Sequence, residues 1–327
     1  MKKILMLIII AAIAVSCKDE EIIKESPQET IETKQRKEGK AMLHFDRVEE
    51  LQSFIKERVS SDIDYLDEAR NFSERGLYNP LLLVYNLDAR EAEKKGIEEK
   101  SIPTVASDDD MLLLLLNEDG EIGIEDKIFR IDGDFVYTYT ASGGSGDINN
   151  FTEQYNAGKI QMKRGGTLEF SKNLTVYMHD NVKSSEEENF VGRSQTNYQY
   201  FSNNYRMRAR QFDGYWVFYS SIGSNTKVEE RKKFLWWSWW KTAKTDNRLE
   251  YELSYEVRST PGFPPVNFVT TASGFRYCNC NTAQRTYSWS VGVPWAPERY
   301  IPLEGESRHW AHWYTTNPNT VSVTLQY

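Results

Sequence analysis

Leu249, Tyr251, Leu253, Tyr255 and Val257 alternate with Glu250, Glu252, Ser254 and Glu256. Side chains of a strand point to opposite faces with a period of two, so this run has one face for a core and one for water. The period recurs. Tyr205, Met207 and Ala209 alternate with Arg206, Arg208 and Arg210, and Val321, Val323, Leu325 and Tyr327 with Thr320, Ser322, Thr324 and Gln326. Asp213-Gly214 reads as a turn leading into Tyr215–Tyr219. Several such strands separated by Gly, Pro and Asn predict an antiparallel β-sandwich for the C-terminal part of the chain.

The N-terminal half follows a different pattern. Val48, Leu51, Phe54 and Ile55 are at helical spacing within Phe45–Val59, with Asp46 as the expected cap and Glu49 three residues on. A second short amphipathic helix is expected over Ile63–Phe72. Asp108, Asp109 and Asp110 precede Met111–Leu116, where acidic residues complement a helix N-terminus and five consecutive leucines imply burial on most sides. Gly120 predicts a turn with positive φ, and Asp132-Gly133 a hairpin ahead of Phe135, Tyr137 and Tyr139. The expected fold is an α+β N-terminal domain followed by a mainly antiparallel β-sandwich C-terminal domain.

Composition supports that division. Ala41–Ile160 carries 26 acidic and 12 basic residues, a net −14, whereas Gln161–Tyr327 carries 15 acidic and 20 basic, a net +5. All nine tryptophans lie in the second region, the first being Trp216. The expected boundaries are an acidic α+β domain over 41–160, a linker or long loop over 161–194 and a Trp-rich sandwich over 195–327. Ser142–Asp147 reads as a flexible, glycine-rich loop. The overall charge of −8 argues against nucleic acid as a partner.

The first forty residues give an address. Lys2 and Lys3 precede an unbroken apolar run, Ile4–Val15, of 12 residues. A membrane-spanning helix needs about 20, so this is the core of a signal peptide, residues 1–16. Ala14-Val15-Ser16-Cys17 resembles the bacterial lipobox. The resemblance implies that Cys17 becomes the acylated N-terminus and holds the protein on a membrane, with several acyl chains anchoring where one would not. The plain alternative is a secreted protein with a cysteine near its cleavage site. Lys18-Asp19-Glu20-Glu21 resembles the lysine-plus-acidic surface-export signal of Bacteroidota lipoproteins, which implies display on the outer face of the outer membrane. The alternative is a polar linker facing the periplasm. Lys18–Lys40 has no aromatic residue and mixes seven acidic with six basic residues, too polar to fold alone, so 17–40 is expected to be a tether.

A further resemblance covers the first domain. Met42-Leu43-His44-Phe45 with Val48-Glu49-Glu50-Leu51, Leu115–Ile122 (Leu-Leu-Asn-Glu-Asp-Gly-Glu-Ile) and Ile128-Phe129-Arg130-Ile131 resemble a module of unknown function recurring in uncharacterised Bacteroidota lipoproteins. It carries no catalytic residues.

Catalytic motifs are absent from the sequence. Ser142-Gly143-Gly144-Ser145-Gly146 lacks the spacing of a nucleophile elbow and is followed by no Gly-Lys-Ser/Thr of a phosphate loop. Asn117–Glu121 fails the calcium-loop register. The acidic residues are too many for one pair to stand out as a glycosidase acid and nucleophile. His309-Trp310-Ala311-His312 could hold a metal on a helix, but no helical pattern surrounds it; loop or interface histidines are the other reading. Cys278-Asn279-Cys280 leaves open a local disulfide, two reduced thiols, or a metal or redox site, and no second Cys pair completes a zinc site. No cofactor, metal or catalytic residue is therefore expected.

The aromatic run Phe234–Lys241 remains. Read as one strand, it places Trp237 and Trp239 on one face, about 7 Å apart, where flat rings suit stacking on a sugar or contact with a protein. Trp310 and Trp313 could add rings from another loop; burial of both faces is the alternative. The sequence thus points to an outer-membrane, surface-exposed lipoprotein that binds a glycan or protein ligand without catalysis. The alternatives are an accessory subunit of an outer-membrane complex and a hydrolase whose site these motifs miss.

Overall fold

Helical spacing around Leu51 becomes α1 (Val48–Ser60), which buries Leu51, Phe54 and Ile55. Its N-cap is Arg47 rather than Asp46, with no side chain capping it. Asp46 lies one residue too early, and its own amide is instead bonded by the Glu50 carboxylate at 3.2 Å. In α2 (Tyr65–Glu74) the capping is regular: Asp64 accepts from Leu66 N at 3.1 Å and Asp67 N at 3.4 Å. Two short helices follow, α3 (Leu81–Val84) and α4 (Asp110–Leu115), and every residue of both is buried.

The computed structural model describes residues 33–34, 41–87, 91, 94, 102–105, 107–140, 143–179, 195–234 and 237–327. The signal peptide, Cys17, the export tetrapeptide and almost all of the tether lie outside them. Glu32–Tyr327 forms one compact unit.

Seven strands make the first sheet: β1 (Thr33–Lys34), β2 (Met42–Phe45), β3 (Glu121–Ile124), β4 (Lys127–Asp132), β5 (Phe135–Thr140), β6 (Thr167–Ser171) and β7 (Leu174–Met178), in the order β1-β2-β3-β4-β5-β7-β6. β2 and β3 run parallel and the other pairs antiparallel. Gly120 has φ +76° in the turn before β3, and a Cβ there would lie 2.5 Å from the Ile131 carbonyl, so only glycine fits. Two expectations change here. The glycine-rich stretch opens a helix, α5 (Ser145–Asn156), whose Ile148 and Phe151 pack on Tyr137, Tyr139, Leu174 and Val176. The sheet also runs on to Met178, past Ile160, so residues 161–178 include two strands rather than a linker.

Nine strands build the sandwich. β8 (Thr196–Ser202), β9 (Tyr205–Tyr215), β10 (Tyr219–Phe234), β11 (Trp237–Ala243) and β14 (Thr282–Val291) form one sheet; β12 (Thr245–Ser259), β13 (Asn267–Cys280), β15 (Glu298–His312) and β16 (Thr320–Gln326) form the other. Sixteen-residue β10 is flanked by β9 on one side. Its other side pairs with β14 over Tyr219–Lys227 and with β11 over Val228–Phe234. The second sheet has the order β13-β12-β15-β16. Inward residues of the two meet as alternation predicts, Met207, Ala209 and Val228 against Ala311 and Leu325, and Ile222 against Leu253, Tyr255 and Val257. The turn expected at Asp213-Gly214 falls later: β9 continues to Tyr215 and the chain reverses at Val217, which adopts φ +68°. The aromatic run is likewise not one strand, since β10 ends at Phe234 and pairs back onto β11 from Trp237.

The helical layer meets the outer face of the five-stranded sheet through charged groups. Asp108 is paired with Arg208 and Arg210. Asp109 caps α4 at Met111 N (2.9 Å) and accepts from Tyr219 Oη (2.6 Å), Ser221 Oγ (2.6 Å) and Gln284 Nε2 (2.8 Å). Asp110 lies 3.9 Å from Lys227. Burial raises the Asp110 pKa and lowers that of Lys227, each partly offset by the other's charge. Buried carboxylates with this many donors hold geometry because an unpaired one costs several kcal/mol, about 3–5 when a partner is removed.

Candidate functional site

The four-stranded sheet presents its other face to solvent. Register fixes what lies there. Tyr277, Arg248, Trp310 and Ser322 stand side by side across β13, β12, β15 and β16. One step along the strands on one side comes the row Phe275, Glu250, Arg308 and Thr324; on the other comes Asn279, Asp246, His312 and Thr320. Neighbouring strands are about 4.8 Å apart, so the Tyr277 and Trp310 backbones are separated by about 10 Å.

The aromatic rings in this region are unusually open. Phe275 is 68% exposed, Tyr277 64% and Tyr314 65%. Trp310 is half-buried beneath the Arg248 guanidinium, whose carbon lies 4.9 Å from the ring centroid. Tyr314, just beyond β15, stands edge-on to His312 with centroids 4.4 Å apart. Its hydroxyl donates to Asp246, which also accepts from Asn279 Nδ2 at 2.8 Å. Those two hydrogen bonds hold the Asp246 carboxyl below its ordinary pKa, and the bond to Asp246 raises that of Tyr314. His312 Nδ1 is 3.0 Å from Thr320 Oγ1. The result is a shallow platform of rings interspersed with a carboxylate, a guanidinium, an amide and an imidazole. It can stack on flat apolar faces and hydrogen-bond around their rims.

The sequence candidates are dispersed over the molecule. Trp310 is in the platform. Trp313 stacks on Tyr205 at 4.5 Å, against the core formed by Phe201, Met207 and Leu325. Trp239 pairs directly with Lys232, which shares the Val228 side of β10, and is half-buried. Trp237 is on the same strand; its side chain lies outside the described residues. The other side of β11 carries Trp240, with Arg206 between it (4.0 Å) and Tyr198 (4.1 Å). Trp310, Trp313 and Trp239 therefore form no single surface. Phe275, Tyr277 and Tyr314 were the residues that sequence reasoning missed. The spacing of Phe275 and Tyr277 was a readable signal, because two aromatics at i and i+2 share a strand face.

The other motifs are also placed. Cys278 and Cys280 are joined by a disulfide with Cα atoms 5.3 Å apart, at the end of β13 beside the platform. His309 and His312, three apart on a strand, point to opposite faces. His309 is fully buried between Thr226 Oγ1 (2.7 Å) and Ser307 Oγ (2.7 Å), and desolvation pushes its pKa down to about 3. Among the described residues no group of three or more His, Cys, Asp or Glu side chains is placed to hold a metal ion.

No family model matches this chain, and no curated protein matches it. Among solved structures, a DUF4848 family protein from Bacteroides thetaiotaomicron aligns over 90% of this chain and 100% of that one, with 12% identity and a TM-score of 0.17. At that score the likeness carries no argument about fold or function.

Proposed function

We propose that the chain is a lipid-anchored outer-membrane protein, displayed on the cell surface, that binds a glycan through the solvent face of its four-stranded sheet. The observation that carries this reading is the platform of Phe275, Tyr277, Trp310 and Tyr314 with Arg248, Asp246, Asn279 and His312 among them. Sugar rings offer an apolar C–H face for stacking and a rim of hydroxyls for such polar groups. Rows of side chains running across four neighbouring strands suit an extended polymer better than a small molecule. Phe275, Tyr277 and Tyr314 stand open to water, an exposure that favours binding over hydrolysis. The anchor rests on the lipobox resemblance at Cys17, and surface display on Lys18-Asp19-Glu20-Glu21.

Two experiments test the parts separately. Calorimetric titration with a panel of soluble polysaccharides should find a ligand whose affinity falls at least tenfold in Trp310→Ala and in Tyr277→Ala. Fractionation of cells expressing Cys17→Ala should find the protein released from membranes and no longer labelled by a fatty-acid probe. Retained labelling would remove the anchor and leave the binding reading standing.

A further inference from the structure

Seven large hydrophobic residues are exposed among the described residues, and four of them, Phe268, Val269, Phe275 and Tyr277, lie on β13. β13 is also an edge strand, fourteen residues long, bonded to β12 on one side. Its register with β12 runs through all fourteen pairs without a bulge. An unshielded edge is a template for another strand, and natural sheets blunt theirs with charge, proline, bulges, shortness or a cover.

The other sheet edges are shorter or carry such devices: β14, ten residues paired with β10, has a register shift and an Arg285 paired with Asp62 (2.8 Å). β1 has two residues; β6 has five and carries both Glu169 and a register shift. β8 has seven with a register shift. β11 has seven and is tied to the helical layer by Lys241–Glu91 (2.9 Å) and by Thr242 N to Asn86 (3.2 Å). β16 has seven. Among the described residues β13 has none of these devices. It contains no proline, and its single charge, Arg276, is buried and donates to the carbonyls of Gln284 (2.9 Å) and Ile63 (2.7 Å).

We infer that β13 is the interface for a second copy of this chain, paired antiparallel about a twofold axis. The strand is complementary to itself. Centred on Ala272, the pairing sets Val269 against Phe275 and Thr271 against Ser273, and Asn267 against Tyr277. No charged side chain meets its like across the axis: Val269 meets Phe275 on the outward face, and the one cation, Arg276, falls opposite Phe268. Such isologous pairing closes after two copies, whereas an open edge left free would invite unlimited association. The dimer would carry one continuous eight-stranded sheet with the two aromatic platforms on the same face. This inference uses no ligand and stands apart from the glycan reading.

The test is sedimentation equilibrium of the full chain bearing Cys17→Ser, so that acyl chains do not themselves bring copies together. At tens of micromolar the mass should be that of a dimer. Thr271→Lys and Ser273→Lys, both at exposed positions, each set lysines against the axis and should return a monomer with an unchanged melting temperature. A monomeric parent chain, or a dimer that survives both substitutions, would overturn the inference. A parent chain that is monomeric yet adds a foreign β-strand peptide along β13 would assign the edge to a partner and overturn it equally.

Discussion

The two sheets of the sandwich share one sequence rule and end in opposite situations. Both alternate apolar with polar residues and bury the apolar set between them. On the five-stranded sheet the outward polar set, Arg208, Arg210, Lys227 and Glu229, is covered by α4 and its preceding turn and consumed in ion pairs with Asp108 and Asp110 and among themselves. On the four-stranded sheet the outward set, Arg248, Glu250 and Asp246 among them, stays in water and has aromatic rings set into it. Charge on an outward face therefore does not distinguish a covered face from a free one. What differs is the partner: a run of acidic residues at a helix start supplies the counter-charges for the first face, and among the described residues no packed element supplies them for the second.

If that contrast is right, substitutions on the covered face should act on folding and substitutions on the free face on binding. The largest effect is expected at Asp109. Asp109→Ala removes the acceptor for Tyr219, Ser221, Gln284 and the Met111 amide. It should destabilise by about 3–5 kcal/mol in urea unfolding. A loss below about 1 kcal/mol would mean that the seam is not a structural joint.

Acid should sharpen the comparison next. His309 lies between the sheets with its pKa lowered from 6.5 to about 3. The unfolded chain takes up this proton as pH falls below 6.5 and the folded chain does not. The stability it contributes is present above pH 6.5 and is lost on descent towards pH 3. At about 1.4 kcal/mol per unit the loss is on the order of 5 kcal/mol across the window. Comparing urea midpoints from pH 7 to pH 4 should show a steeper fall for the parent chain than for His309→Gln, whose amide can bond Thr226 and Ser307 without titrating. Equal slopes would move the acid sensitivity elsewhere.

A smaller effect is expected at the platform's margin. The Cys278–Cys280 bridge closes a loop of three residues, and chain entropy assigns so short a loop about 1–2 kcal/mol. Thermal melts of Cys278→Ser with Cys280→Ser should show that loss. The smallest change in stability is expected for Tyr277→Ala, because its ring is exposed and removing it opens no cavity; its melting temperature should move by a degree or two at most.

Local chemistry made much of this fold legible. The alternation over Leu249–Val257 is β12, the spacing around Leu51 is α1, and Gly120 and Gly133 turn where their positive φ is needed. Helix α5 was missed although Ile148, Phe151 and Tyr155 have its period, because the glycines at its start read as a loop. The candidate site was less legible for a different reason. Tyr277 and Trp310 are 33 residues apart in sequence and become neighbours only through the registers of β13, β12 and β15. Register is set by long-range packing of inward faces, which no local pattern encodes. His309 and His312 illustrate the same point: their spacing would bring them together only on a helix, and the strand sends them to opposite sides of the sheet.

The most direct test of the account is a paired titration against the best polysaccharide found for the parent chain, with Trp310→Ala on the free face and Trp239→Ala on β11. The account predicts at least a tenfold loss of affinity for Trp310→Ala with little change in melting temperature, and parent-like affinity for Trp239→Ala. Parent-like affinity in Trp310→Ala and in Tyr277→Ala, with binding lost in Trp239→Ala, would contradict it and move the ligand surface to the other sheet.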